Sequence, residues 1–285
     1  MSTDTTTYRI EKDFLGEKQI PADAYYGVQT QRGKDNFYIT GTQMSAEPYF
    51  VKAFGYVKKA AAMANRDLGC IDGQIANAII GACDRLIAGE LREHFVTDFI
   101  QGGAGTSVNM NANEVIANVA LEALGHNKGD YHIINPNDHV NFGQSTNDVY
   151  PTAFRLALIL RLASYMDALR KLQGSFFAKA KEFERVLKMG RTHLQDAVPM
   201  SLGQEFHGWG TTIGEEVERI TEVRNLLREI NLGATAIGTT VTAAPDYPQL
   251  ATRYLSELTD VQFILGHDLV EATSTPAPTS SSPAF

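Results

Sequence analysis

Cysteine is scarce in this chain, and so are basic runs, long apolar runs and phosphate-binding glycine motifs. Cys70 and Cys83, the only cysteines in 285 residues, are too few for a disulfide framework and lack metal-ligand spacing. Reduced thiols in a cytoplasmic protein fit that usage. A net charge of −8 with no Lys/Arg cluster argues against nucleic acid as a partner. No stretch approaches the roughly 20 apolar residues of a spanning helix. Leu156 to Leu160 is bracketed by Arg155 and Arg161, and Ile230 to Ala244 is rich in Gly and Thr. The opening MSTDTTTYRIEKDF lacks the apolar core of a signal peptide. The signatures G-x-x-x-x-G-K, G-x-G-x-x-G, H-E-x-x-H and G-x-S-x-G are also absent. A soluble protein with no membrane partner is expected, without cofactor or metal.

What is present is a large apolar fraction, 44%, enough to bury a substantial core. The first ~45 residues mix short apolar pieces with turn formers and read as irregular structure containing a hairpin. Ala46 to Gly69, Asp72 to Ala88 and Ser107 to Gly125 read as helices, and Asp130 to Asn141 as a loop. From Asn147 the residues Leu158, Leu162, Tyr165, Leu169, Leu172 and Phe176 step by fours and threes, the stripe of a bundle helix. Continued to Met189, with Gly190 as its stop, this helix would exceed 40 residues. A second stripe, Phe206, Trp209, Ile213, Val217, Ile220, Val223, Leu227 and Ile230, predicts another long helix with Gly233 just beyond it. A third helix is predicted over Tyr247 to Leu258. The class is mainly α. Two stripes this long outrun one compact domain, so they are expected to meet equivalent stripes in an oligomeric helical bundle.

Three polar clusters interrupt the helical text: Gly102 to Glu114, Asn141 to Asp148, and Gly190 to Glu205. Each lies where a long helix begins or ends, so N–H groups and side-chain donors there can converge on an anion. Each also has a plainer reading. Thr106 or Ser107 could be only an N-cap, and so could Ser145 or Thr146, with Asp148 supporting the first turn. His193 and His139 alone read as structural histidines, and Arg191 as an ion-pair partner. Capping accounts for one hydroxyl, though not for the row Gln144, Ser145, Thr146, Asn147, Asp148. Many neutral donors with no phosphate cradle suit a small carboxylate-bearing substrate.

Three stretches, GGAGTSVNMNANEVIAN, NPNDHVNFGQSTNDVYPTA and GRTHLQDAVPMSLGQEF, together resemble the aspartase/fumarase superfamily. The N-terminal RIEKDFLGEKQIPADAYYGVQTQR follows the same pattern, and the likeness runs from about Tyr8 to Ser274. It implies a small N-terminal mixed domain over 1–140 and a central helical bundle, here partial, over 141–274. It also implies a homotetramer whose sites are shared between subunits. The implied chemistry is an ammonia-lyase elimination, L-aspartate to fumarate and ammonia, through an aci-carboxylate intermediate. By the same resemblance Thr106, Ser145 and Thr146 hold the carboxylate that receives the charge. Asn147, Thr192 and His193 surround the departing amino group, and His193 offers a proton relay. Aspartases often carry glutamine where His193 stands and fumarases histidine, so His193 leaves the substrate open. GAGTSVNMN and QSTNDVYPT lean towards aspartase.

One family element is missing. The base-bearing loop G-S-S-x-M-P-x-K-x-N does not occur, and no lysine follows Lys188. The likeness ends at HDLVEATS, and 275–285 reads as a low-complexity tail unrelated to the family. A C-terminally truncated lyase subunit is the expectation. Fumarate hydratase and a non-catalytic fragment are the alternatives.

Overall fold

The computed structural model describes residues 7–103 and 105–274. The tail expected at 275–285 lies outside the described residues. Packing divides the chain into two units, Met1–Ala157 with Arg228–Phe285, and Leu158–Leu227. This grouping does not follow the 1–140 and 141–274 division of the resemblance.

The first unit opens with the expected hairpin, β1 (Tyr8–Asp13) antiparallel to β2 (Gly16–Pro21). A helix the sequence reading did not include, α1 (Val28–Asn36), follows. Polar residues dominate its text, so no apolar stripe announces it. Its exposed N–H groups are instead met by carboxylates from elsewhere in the chain.

Helices α2 (Pro48–Asp67), α3 (Gly73–Ile87) and α4 (Thr106–Ala123) build the core. Pro48 opens α2 at a position where its missing N–H is harmless. Asp72 caps α3, its carboxylate accepting from the N–H of Gln74 at 2.8 Å and Ile75 at 3.2 Å. Alanines 53, 60, 61 and 64 of α2 are fully buried. At Gly55 an added Cβ would lie 3.0 Å from Ile87 and 3.1 Å from Leu86, so α2 and α3 approach closely there.

Every residue of α4 from Val108 to Leu121 is buried. Its polar residues act as braces. Asn111 accepts from the N–H of Val96 and donates to the carbonyl of His94. Asn118 donates to the Tyr25 carbonyl at 2.7 Å and accepts from Gly129 at 2.8 Å. Glu114 accepts from the N–H groups of Gly27, Gln29 and Thr30 and from the Thr30 hydroxyl at 2.6 Å. A carboxylate at the start of α1 suits the positive end of that helix. Burial nevertheless pushes Glu114 up to about 7, against the pull of those hydrogen bonds.

The stretch expected as loop, 130–141, contains a five-residue π-helical turn, Pro136–Val140. Asn135 caps it, and His139 Nδ1 accepts from the Asn135 N–H at 2.9 Å, a structural histidine as read.

Helix α5 (Thr146–Glu182) begins in the first unit and ends in the second. It stops short of Met189. The N–H groups of Leu202 and Gly203 take the carbonyls of Val186 and Phe183, and the chain turns into strand β3 (Leu187–Thr192). Met189 and Gly190 therefore lie in a hairpin with β4 (Gln195–Ser201), bulged between Met189 and Arg191. No periodicity rule could see a pairing set by residues a dozen positions on.

The second unit pairs this part of α5 with α6 (Leu202–Leu226). Ser201 and Gln204 start α6 with a reciprocal capping box. Phe176 meets Phe206 and Trp209 at 6.1 and 5.9 Å between ring centroids. Gly203 and Gly210 allow the approach. A Cβ on Gly210 would lie 2.7 Å from the Phe177 ring.

The second predicted helix also ends early. Leu227 is its C-cap, and Ile230 is buried in β5 (Glu229–Ile230), which pairs in parallel with β6 (Ile264–Leu265). Helix α7 (Tyr247–Thr259) matches its expectation, and α8 (Leu269–Ser274) closes the described chain.

Candidate functional site

Two of the three polar clusters converge in the first unit at the starts of α4 and α5. Ahead of α4, Gly103 and Gly105 adopt left-handed φ values of +67° and +93°. Gly105 is backed by the Tyr150 ring, in space a side chain would occupy. Tyr150 lies one turn into α5, and its ring stands edge-on to Phe50 at 5.4 Å. One turn into α4, the Asn109 amide reaches back to the Thr146 hydroxyl at 3.2 Å. The two helix starts thus lie side by side.

Capping assigns the hydroxyls unequally. At α4 neither Thr106 nor Ser107 caps. Gln101 does so, its side-chain oxygen accepting from the Val108 N–H at 2.7 Å. At α5 Ser145 is the cap. Its hydroxyl accepts from the Asn147 N–H at 3.2 Å, and Asp148 reciprocates by accepting from the Ser145 N–H at 3.1 Å. The plainer reading is therefore right for Ser145 as an acceptor and wrong for Thr106. Each of these hydroxyls keeps its proton for another partner, since an accepting hydroxyl still donates.

Pro151 adds a consequence. It has no N–H for the Asn147 carbonyl four residues earlier. That carbonyl accepts instead from the Asn231 amide at 3.0 Å, while the Asn147 side chain donates to the Ala236 carbonyl at 2.8 Å. The Thr235 N–H meets Asp148 at 2.8 Å. The segment after β5 is thereby stitched under the start of α5. Of the predicted site residues, Asn147 has its amide nitrogen committed to this stitch.

Beneath lies a charged layer that the sequence reading missed. Lys58 is completely buried, and its ammonium donates to Asn141 at 2.8 Å and Gln144 at 2.9 Å. Burial lowers Lys58 to about 7 and raises Asp148 to about 7, the opposite charges partly offsetting each shift. Asp148 accepts from the backbone N–H groups of Ser145 and Thr235, and Lys58 donates to two amide oxygens. A signal was available. Lys58 and Asn65, seven residues apart, occupy the same face of α2 as Phe54 and Ala61.

Thr106 also borders a cavity of about 360 Å³ with Arg32, Gly33, Phe37, Ser107 and Met110. Arg32 is held there by Asp13 through bonds of 2.9 and 2.7 Å, and it in turn holds the Asp13 carboxyl below the usual carboxylate range. Its charge is already matched.

Thr192 and His193 belong to the second unit. Thr192 pairs with Gln195 across a two-residue turn in which His193 and Leu194 have φ of +49° and +63°. Both central residues in the left-handed region define a tight hairpin turn that usually favours glycine or asparagine. Thr192 and His193 are exposed, and Leu194 at the tip is 97% exposed. Arg191 pairs with Asp196 at 3.2 Å, as read.

Long helices with polar starts, and donors gathered where α4 and α5 begin, define a mainly helical protein with a candidate anion site at two helix starts. A family model described as a lyase matches residues 16–276, and the chain belongs to that family. Among curated relatives, it is 50% identical over 265 residues to the aspartate ammonia-lyase of Helicobacter pylori strain J99, covering 93% of this chain and 57% of that one. It is 53% identical over 267 residues to the aspartate ammonia-lyase of Escherichia coli K12, covering 93% and 56%. Among solved structures, a fumarate lyase:delta crystallin from Brucella melitensis superposes with a TM-score of 0.92 at 51% identity, over 94% of this chain and 58% of that one. A class II fumarase from Schistosoma mansoni gives 0.87 at 32%, over 93% and 59%. The chain thus spans a little over half the length of the relatives it matches. The mainly α, aspartase/fumarase-like class expected from the sequence is the observed one. No helix among the described residues is long and apolar enough to cross a membrane.

Proposed function

We propose that this chain is part of a carbon–nitrogen lyase that eliminates ammonia from L-aspartate to give fumarate. The observation that carries the reading is the pairing of two helix starts with unspent hydroxyl protons, in a chain half identical to proteins named aspartate ammonia-lyase. A base, which the family resemblance places on the G-S-S-x-M-P-x-K-x-N loop absent from these residues, takes the proton from the carbon beside a carboxylate. Negative charge moves onto that carboxylate as an aci-carboxylate, and its collapse to the double bond expels ammonia with the electron pair of the broken C–N bond. Thr106, Ser145 and Thr146 hold the aci-carboxylate, their donors binding the added charge more tightly than the ground state. In the assembled protein, Asn147 from one subunit and Thr192 and His193 from another would surround the amino group, His193 orienting it or relaying a proton.

The site would be completed by assembly, a homotetramer being the form the family resemblance implies. Residues 1–140 would form the N-terminal lyase domain and 141–274 part of the central bundle. The exposed stripe on α6, with Trp209 45% exposed, is consistent with a helical neighbour. Cytoplasmic aspartate metabolism is the setting such chemistry suits.

The 32% identity to the fumarase, against 50% or more to the ammonia-lyases, favours aspartate over fumarate hydration. The deciding assay gives the complete native protein L-aspartate and follows fumarate by ultraviolet absorbance together with released ammonia. Malate formed from fumarate without ammonia would move the reading to a hydratase. These 285 residues contain no G-S-S-x-M-P-x-K-x-N segment, so a polypeptide of these residues alone should release little or no ammonia.

A further inference from the structure

Buried side-chain amides beneath the site all point one way, and the direction has a single source. Lys58 has only donors as an ammonium. It faces Asn141 Oδ1 and Gln144 Oε1, so both amides must turn their oxygens towards it. Their nitrogens agree. Gln144 Nε2 donates to the carbonyls of Val140 and Phe142, and Asn141 Nδ2 to the carbonyl of Gln144. With Asn141 Oδ1 fixed as an acceptor, Asn109 must present Nδ2 to it, at 3.2 Å. The same Nδ2 uses its second hydrogen on the Thr146 hydroxyl oxygen, also at 3.2 Å. Asn109 Oδ1 is left buried without a partner, an arrangement no isolated asparagine would choose. Turning Asn109 over would set oxygen against oxygen at Asn141.

We propose that Lys58, Asn141 and Asn109 form a buried polarity relay that makes Thr146 an obligatory donor to the substrate carboxylate, with Asn109 and Lys58 acting as positioning residues. The proposal rests on the reading of Thr146 as part of the carboxylate clamp. Its content is the direction of one proton. Thr146 receives a hydrogen bond from behind, so its own O–H points to the ligand before the ligand arrives. That removes a reorientation step when charge develops on the carboxylate.

The test is a double-mutant cycle in the complete native protein, read as kcat for ammonia release and checked by circular dichroism. Asn109→Asp keeps the size but replaces the donor by an acceptor, which draws the Thr146 proton inward. It should lower kcat about 100-fold, the scale of one lost transition-state donor. Thr146→Val alone should cost a similar factor. Valine has no proton to turn, so Asn109→Asp added to Thr146→Val should lower kcat little further. Equal losses from Asn109→Asp in both backgrounds would overturn the relay and leave Asn109 a packing residue. Normal turnover in Thr146→Val would instead overturn the clamp reading itself. If Asn109→Asp does not fold, Asn109→Ala decides. It leaves the hydroxyl free to turn either way, so it should cost about tenfold and, again, only when Thr146 is present. The same tenfold loss in the valine background would overturn the relay.

Discussion

Helices α4 and α6 are both long and both set small residues among apolar ones, yet their surroundings differ completely. Every residue of α4 from Val108 to Leu121 is buried, while α6 buries only Gly203 and Gly210. In α4 several polar positions are consumed as well, Asn111, Glu114 and Asn118 satisfying backbone from other segments. In α6 the apolar stripe is half covered, with Trp209 45% and Val223 48% exposed. A three-four stripe therefore tells where a helix needs a neighbour, and says nothing of which segment or chain supplies it.

Core truncation should separate the two helices most. Leu121→Ala, at a position with no exposure, should cost about 3 kcal/mol of unfolding free energy in this chain. Trp209→Ala should cost about 1 kcal/mol, since half the ring already faces solvent. Urea titrations with equal losses would dissolve the contrast.

Glu114 should give α4 a pH signature that α6 lacks. Its carboxyl is raised to about 7 from an ordinary 4.5. A raised carboxyl contributes stability in full below the ordinary value and loses it as pH rises through the folded one. Between pH 5 and 8 this amounts to roughly 2–3 kcal/mol. Glu114→Gln should remove that slope when unfolding is compared at the two pH values. It should also lower stability at both, because its amide NH₂ would confront the donors that now meet a carboxylate.

The two α6 glycines Gly208 and Gly210 offer a smaller contrast within one helix. Gly208 has open space where a Cβ would go, and Gly210 has the Phe177 ring at 2.7 Å. Alanine at 208 should stabilise by about 0.5–1 kcal/mol through helix propensity. At 210 it should destabilise by about 1 kcal/mol through overpacking. Thermal melts giving the same sign at both positions would show that α5 and α6 do not pack closely there.

Smallest of all should be Arg191→Ala. Its pair with Asp196 is exposed on both sides, and such pairs are worth about 0.5 kcal/mol or less. A larger loss would mean that the β3–β4 turn depends on the pair.

How much was legible follows the range of the interactions. Helices α2, α3, α4 and α7 were found within a few residues, because the signals that start and stop them, such as the Asp72 cap and Gly125, act within a turn or two. The α5 and α6 ends were overrun. The stripe rule sees Met189 and Ile230 as further apolar steps, whereas their actual partners are strands contributed by Gln195–Ser201 and Ile264–Leu265. Helix α1 escaped because Glu114, 84 to 87 residues later, receives the N–H groups at its start.

By itself the sequence determined the helical class, the polar starts of α4 and α5 and the family, since hydrophobic period, capping chemistry and motif text are local properties. Tertiary structure alone decided which hydroxyls are spent. It gave capping to Gln101 and Ser145 rather than Thr106, and it placed the charge of Lys58 beneath Asn141. It also turned the Asn109 amide towards Thr146. Hydrogen-bond direction depends on every partner around a buried group, and those partners come together only when distant segments pack.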